Sequence, residues 1–156
     1  MPTDPFLEED FRVLTPEAFS FVLTNELKRA QRSQNYVSLV LVEPSFQAVA
    51  GDENGEQDQA VGAVARLISR DVRETDLLSH TNMGQLSLVL LDADLDSSAR
   101  VVERLMARLD NYDFPRPLTF DVGLACCPTH GCDIDSLRSA AESRPIRRRG
   151  DRSNAQ

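Results

Sequence analysis

The sequence contains no tryptophan, and aromatic residues supply only 6% of its 156 positions, so its core must be aliphatic. It has two histidines, His80 and His130, far apart in the chain, which leaves no visible Ser–His–Asp or Cys–His set for nucleophilic catalysis. Three cysteines cannot all pair with one another, and reduced thiols are the simplest expectation. No apolar run approaches the roughly 18–20 residues of a membrane-spanning helix, which excludes membrane insertion through a helix. The start, Met1-Pro2-Thr3-Asp4, lacks the basic and then apolar pattern of a signal peptide. A cytoplasmic location is therefore expected. Positive charge is outweighed, 17 Lys and Arg against 25 Asp and Glu, a net −8. Phosphate contacts supply most nucleic-acid affinity, so an acidic body argues against a DNA or RNA partner. The exception is the end of the chain, where six arginines between Arg138 and Arg152 face only Glu142 and Asp151. That segment reads as a solvated basic tail.

The apolar share of 41% suffices for one compact domain. Residues 1–13 read as a lead-in. Thr15, Pro16 and Glu17 then form a helix start: a capping hydroxyl, a first-turn proline and a carboxylate at the positive dipole end. Phe19, Val22, Leu23, Leu27 and Ala30 follow on one helical face, and the helix is predicted to end near Ser33. Tyr36 to Val42 is a continuous apolar run, expected to be a buried strand stopped by Pro44. Gly51 to Asp58 reads as a loop, and Val61, Val64, Ala65, Ile68 and Val72 form a second helical stripe.

Leu77–His80 and Leu86–Leu91 read as the two strands of a hairpin, with Asn82 and Gly84 in the turn. Asp96 or Ser97 is expected to cap a third helix whose buried face carries Val102, Leu105, Met106 and Leu109. Leu118, Phe120, Val122 and Leu124 alternate with Thr119, Asp121 and Gly123, the period of a strand. Ile134 to Ala141 suits a last short helix, cut short by Pro145. With the first helix set aside, the order is β-α-β-β-α-β. That is the ferredoxin-like arrangement of an α+β fold, with a central, mostly antiparallel sheet of four or five strands and flanking helices.

Several stretches resemble one family in order and spacing. Val64-Ala65-Arg66-Leu67-Ile68, then Val72-Arg73-Glu74-Thr75-Asp76-Leu77-Leu78, then a turn and Leu88-Val89-Leu90-Leu91, look like the GGDEF family of bacterial diguanylate cyclases. Glu26 to Arg32 resembles its first helix, and Thr119 to Ala125 with Pro128, Gly131 and Leu137 its late strand and helix. The resemblance covers roughly residues 12–142. It implies a nucleotidyl-cyclase-like fold, with a degenerate GGDEF-like domain over residues 14–143 and a basic tail over 144–156.

Family members join two GTP molecules into cyclic di-GMP. The resemblance puts their signature on the hairpin turn, with Mg²⁺ held by an acidic residue there and another at the end of the first core strand. Here the signature positions fall on Asn82, Met83, Gly84, Gln85 and Leu86, none of which is the family's residue. Side chains replace the glycines that let a phosphate approach, and Gly84 and Gln85 replace the carboxylates. A neutral amide is a weaker ligand for a hard cation. Glu43 stands near the other acidic position, but Pro44 and Ser45 follow it directly, and Ala50 or its neighbour replaces a guanine-binding Asn. Phosphoryl transfer depends on metal and positioning, so the expectation is no cyclase activity, no catalytic residues, no resident metal and no cofactor.

Arg73-x-x-Asp76 is retained, with Asp76 six residues ahead of Asn82. In the family this motif is the inhibitory site for cyclic di-GMP. The same spacing recurs at Arg148 and Asp151, so position within the resemblance, not the motif alone, singles out Arg73 and Asp76. An arginine fork can address guanine O6 and N7, and a carboxylate can accept from N1 and N2. Arg70 is close enough in sequence to assist. The expected function is a non-catalytic regulatory domain that binds cyclic di-GMP there. A nucleotide-independent interaction scaffold, with a protein partner or a second copy of itself, is the alternative. The competing reading of Arg73 and Asp76 is a contact that closes the helix end.

Two further clusters bear on chemistry. Cys126, Cys127, His130 and Cys132 fit no common zinc spacing and read as reduced, buried thiols at a strand end. Asp92, Asp94 and Asp96 lack the later residues of a calcium loop and read as an exposed turn with Asp96 capping a helix.

Overall fold

In a computed structural model, residues 7–8, 13–46, 56–73, 75–80, 84–143 and 145–147 are described. Helix α1 (Pro16–Ser33) starts as its sequence dictates: the Thr15 hydroxyl accepts the Ala18 N–H at 3.2 Å, and Gln34 closes the other end in the left-handed region. Strand β3 (Val37–Phe46), helix α2 (Glu56–Asp71), the hairpin strands β4 (Leu77–His80) and β5 (Leu86–Leu91), helix α3 (Leu95–Asn111), strand β6 (Leu118–Cys127) and helix α4 (Ile134–Ser143) follow.

The sheet order is β1-β2-β4-β5-β3-β6-β7, where β1 is Leu7–Glu8, β2 is Val13–Leu14 and β7 is Pro145–Arg147. All pairings are antiparallel except β2 with β4. The four central strands stand in the order β4-β5-β3-β6, the ferredoxin-like permutation of a split β-α-β pair. On one face, Val64, Ile68, Val102 and Leu105 of α2 and α3 pack on Val40, Leu88 and Phe120. On the other, Leu23 and Leu27 of α1 and Leu137 of α4 pack on Leu39, Val89 and Ala125. Covering both faces explains why Val37–Val42 of β3 is apolar on both sides of the strand, with Ser38 its one polar residue, rather than alternating. Among the described residues no helix is long and apolar enough to cross a membrane.

Several expectations are corrected. Among the described residues the sheet has seven strands, not four or five, because short segments before α1 and after α4 extend its edges. The lead-in forms the pair β1–β2, in which Leu7 lies opposite Leu14, and Leu14 in turn stands beside Ser79 of β4. Helix α4 ends at Ser143, ahead of Pro145, and residues 145–147, expected to belong to the basic tail, form β7 alongside β6. Pro44 does not end β3. Pairing with β5 stops at Val42↔Leu86, so from Glu43 onward the strand has a ladder partner only in β6 among the described residues, where a proline is tolerated. Helix α2 begins at Glu56, inside the stretch expected to be loop, and Val72 lies just past its end. The cap of α3 is Asp94, whose carboxylate accepts the Ser97 N–H at 2.9 Å, rather than Asp96 or Ser97. Asp92 takes up a left-handed turn conformation before it.

The thiols also differ from expectation. Cys127 and Cys132 form a disulfide, their Cα atoms 5.0 Å apart across the turn Pro128–Gly131. Cys126 is free and buried, and faces the opposite side of β6 toward Ala93. Adjacent strand residues point to opposite faces, so the three sulfurs cannot converge. His130 instead binds its own strand: its Nδ1 accepts the Cys126 N–H at 2.9 Å.

Candidate functional site

The chain leaves α2 at Asp71, crosses Val72 and Arg73, and enters β4 through Asp76. This crossover is closed by the Asp76 carboxylate. Its Oδ2 accepts the Arg73 N–H at 3.1 Å, and its Oδ1 accepts the Leu91 N–H at 3.3 Å. The Asp76 N–H completes the turn by donating to the Arg73 carbonyl at 3.0 Å. The Asp76 side chain is only 3% exposed, whereas that of Arg73 is 60% exposed. The Arg73 guanidinium is nonetheless held in place: Nη2 donates to the Leu91 carbonyl at 2.6 Å and lies 3.4 Å from Asp76 Oδ1. The guanidinium has further N–H donors besides those of Nη2.

A cavity of about 350 Å³ opens here between the crossover and α3, with Arg73, Asp76, Asp92, Ser97, Val101 and Arg104 in its wall. Asp71 also lines it, but its carboxylate is engaged at 2.6 Å by Arg108 Nε. The sequence-predicted pair Arg73 and Asp76 is therefore brought together, while Arg70, in the last turn of α2, is exposed and outside the cavity wall. Arg104 was missed. Its signal is present in hindsight, because Arg100, Arg104 and Arg108 recur at one-turn spacing opposite the buried Val102, Leu105 and Leu109 stripe. Only the sheet order shows that this row flanks the crossover. A planar base between Arg73 and Arg104 would meet two guanidinium forks, which stack on aromatic faces and donate to O6 and N7.

The hairpin turn forms a second site. Gly84 adopts a positive φ of 83°, the conformation for which glycine is suited. Gln85 follows, and Leu86 is not in the turn at all: it is the fully buried first residue of β5, paired with His80 and Val42. Asn82 and Met83 lie outside the described residues, as does Ala50. Gln85 lines a cavity of about 560 Å³ with Glu43, Asp121, Gly123, Glu142 and Pro145. Its amide oxygen accepts Arg138 Nη1 of α4 at 3.1 Å. Among the described residues no three His, Cys, Asp or Glu side chains come together as a metal site.

Comparisons with known proteins agree with this fold. The family model described as "Diguanylate cyclase, GGDEF domain" matches residues 17–154. The GGDEF domain of YfiN (also TpbB) from Pseudomonas aeruginosa superposes with a TM-score of 0.74 at 16% identity, over 88% of this chain and 95% of that one. The GGDEF domain of DgcB from Caulobacter crescentus, solved in complex with c-di-GMP, gives 0.76 at 16% identity over 92% and 89%. The diguanylate cyclase SiaD from Pseudomonas aeruginosa, solved with its activator SiaC, gives 0.68 at 19% identity over 90% and 59%. No curated protein sequence matches the chain.

Proposed function

Because this chain belongs to the GGDEF domain family, we propose that it is a non-catalytic signalling domain that binds cyclic di-GMP at the crossover cavity. The observation that carries the reading is the pairing across that cavity of Arg73, oriented by Leu91 and Asp76, with Arg104 of α3. Two cations in one cavity wall, of which Arg73 is held by Leu91 and Asp76, suit a ligand with two phosphodiesters and two guanines. One relative, DgcB, was solved with this nucleotide.

Loss of the cyclase reaction is supported by the second cavity. The cavity wall carries the carboxylates of Glu43, Asp121 and Glu142, which among the described residues do not converge as a metal site, and at the hairpin it offers Gln85, an amide whose oxygen already receives a guanidinium. A neutral amide, already occupied by Arg138, is a poor substitute at the hairpin for a charged oxygen ligand of a catalytic Mg²⁺. We therefore derive no step through a metal, and assign the hairpin no catalytic residue.

A second reading is favoured by the burial of Asp76. Both its oxygens are used by backbone N–H groups, as a purely structural carboxylate would use them. On that reading the domain is a nucleotide-independent scaffold whose ligand is a protein. SiaD, a diguanylate cyclase solved in complex with its activator SiaC, is a relative with a protein partner. Calorimetry with cyclic di-GMP separates the two. The receptor reading expects saturable heat with wild type and its loss in Arg73→Ala and in Arg104→Ala, both at solvent-facing positions. No heat at about 50 µM ligand with folded protein leaves only the scaffold, since that concentration already corresponds to weak binding.

A further inference from the structure

The strand end at Cys127 and the helix start at Asp133 are joined twice, once by the chain and once by the Cys127–Cys132 disulfide. The two sulfurs are unequally placed. Cys127 is 1% exposed and packs with α1 and α4, whereas Cys132 is half-buried and stands in the wall of an open cavity beside Ser20, Thr24, Lys28 and Gln31 of α1. A thiolate from solvent can therefore reach Cys132 but not Cys127. The third thiol takes no part: Cys126 is on the other face of the strand, and burial holds it in the protonated form by raising its pKa.

The bond also fixes more than a loop. Cys132 directly precedes Asp133, whose carboxylate caps α4 by accepting the Ser136 N–H at 2.8 Å and the Ser136 hydroxyl at 2.9 Å. Gly131 sits at φ 115° with no room for a side chain, since a Cβ there would lie 2.7 Å from that of Ser136. One turn on, Leu137 is fully buried and Arg138 reaches across to Gln85 at the end of the hairpin. The start of α4 is thus tethered to the sheet at Cys127, and its middle to the hairpin at Gln85.

We propose that Cys127 and Cys132 form a reversible dithiol–disulfide switch that sets how firmly α4 is docked, and through Arg138 how firmly the Gln85 end of the hairpin is held. Opening requires a dithiol reductant. One of its thiolates attacks Cys132 Sγ, the S–S bond breaks, and Cys127 leaves as a thiolate that takes up a proton. The second reductant thiol then attacks the mixed disulfide and releases Cys132, which is protonated in turn. Two electrons pass to the protein and the reductant ends as its own disulfide. The reduced form loses the covalent tether next to the helix cap, so the opening of α4 becomes easier.

The test uses the full chain, held either under diamide or under dithiothreitol. Iodoacetamide added to the unfolded protein is expected to label one cysteine in the first sample and all three in the second. Hydrogen exchange over residues 134–143 and at Gln85 is expected to quicken about tenfold on reduction, with the middle of β3 unchanged. Cys132→Ser is expected to exchange like the reduced protein under both conditions. Since Cys132 is only half-buried, this variant is expected to fold. Labelling of three cysteines under diamide would overturn the proposal. So would equal α4 exchange in the two redox states, or a Cys132→Ser protein that still responds to dithiothreitol.

Discussion

The Asp76 carboxylate grips Arg73 twice, accepting the Arg73 backbone N–H on Oδ2 at 3.1 Å and the guanidinium Nη2 on Oδ1 at 3.4 Å. The two residues nevertheless have different burdens. Asp76 satisfies buried backbone donors, so Asp76→Asn turns an amide group toward an N–H and leaves a donor unmet. A loss of about 1–3 kcal/mol in urea unfolding is expected. Arg73 contributes an exposed ion pair, and Arg73→Ala is expected to change stability by less than about 1 kcal/mol while removing ligand binding. Equal destabilisation by the two variants would contradict this division.

Gly123 lies where α4 crosses β6. A Cβ at that position would overlap the carbonyl oxygen of Ala141, a backbone atom that cannot swing aside. Gly123→Ala is therefore expected to destabilise the domain by at least about 2 kcal/mol, or to displace α4. A melting temperature within a degree or so of wild type would show that the approach is looser than described.

Two helix caps make the fold acid-sensitive. The backbone N–H of Ser97 holds the Asp94 carboxyl below its ordinary 3.8, and Ser136 does the same for Asp133. A lowered native pKa means stability that is complete above the ordinary carboxyl value and is lost as pH falls through the lower native values. Melts from about pH 6 down to about pH 2 are expected to show this loss, and the double variant Asp94→Asn, Asp133→Asn a shallower one. A double variant as acid-sensitive as wild type would place the titration elsewhere.

GTP supplied with Mg²⁺ or Mn²⁺ is expected to give no cyclic di-GMP, because the amide of Gln85 already binds Arg138. Nucleotide product separated by chromatography from such a mixture would restore the hairpin as an active site.

The sequence was most readable where burial decides. The stripe Val102, Leu105, Met106, Leu109 and the strands Leu77–His80 and Leu86–Leu91 lie where their periodicity puts them. Local rules were weaker where tertiary context takes over. Pro44 is a breaker only if a neighbour needs its missing N–H, and β5 has already ended there. Asp94 and Asp96 are equally good caps in sequence, and the geometry of the turn after β5 chooses between them. Arg104 stands far from Arg73 in the chain and close in space, a relation that no spacing rule conveys. The pairing of Cys127 with Cys132 was hidden because three cysteines leave the partner open.

The longest ladder has a consequence for synthesis. Strand β3 is completed on one side by β6, from Val37↔Cys127 to Phe46↔Leu118, segments made early and late in translation. While the ribosome is still building the middle of the chain, the apolar rim of Val37–Val42 has no permanent neighbour on that flank. Nascent polypeptide halted before Leu118 therefore carries an adhesive margin, and truncated products are expected to be captured by chaperones or to clump, whereas the finished chain seals itself.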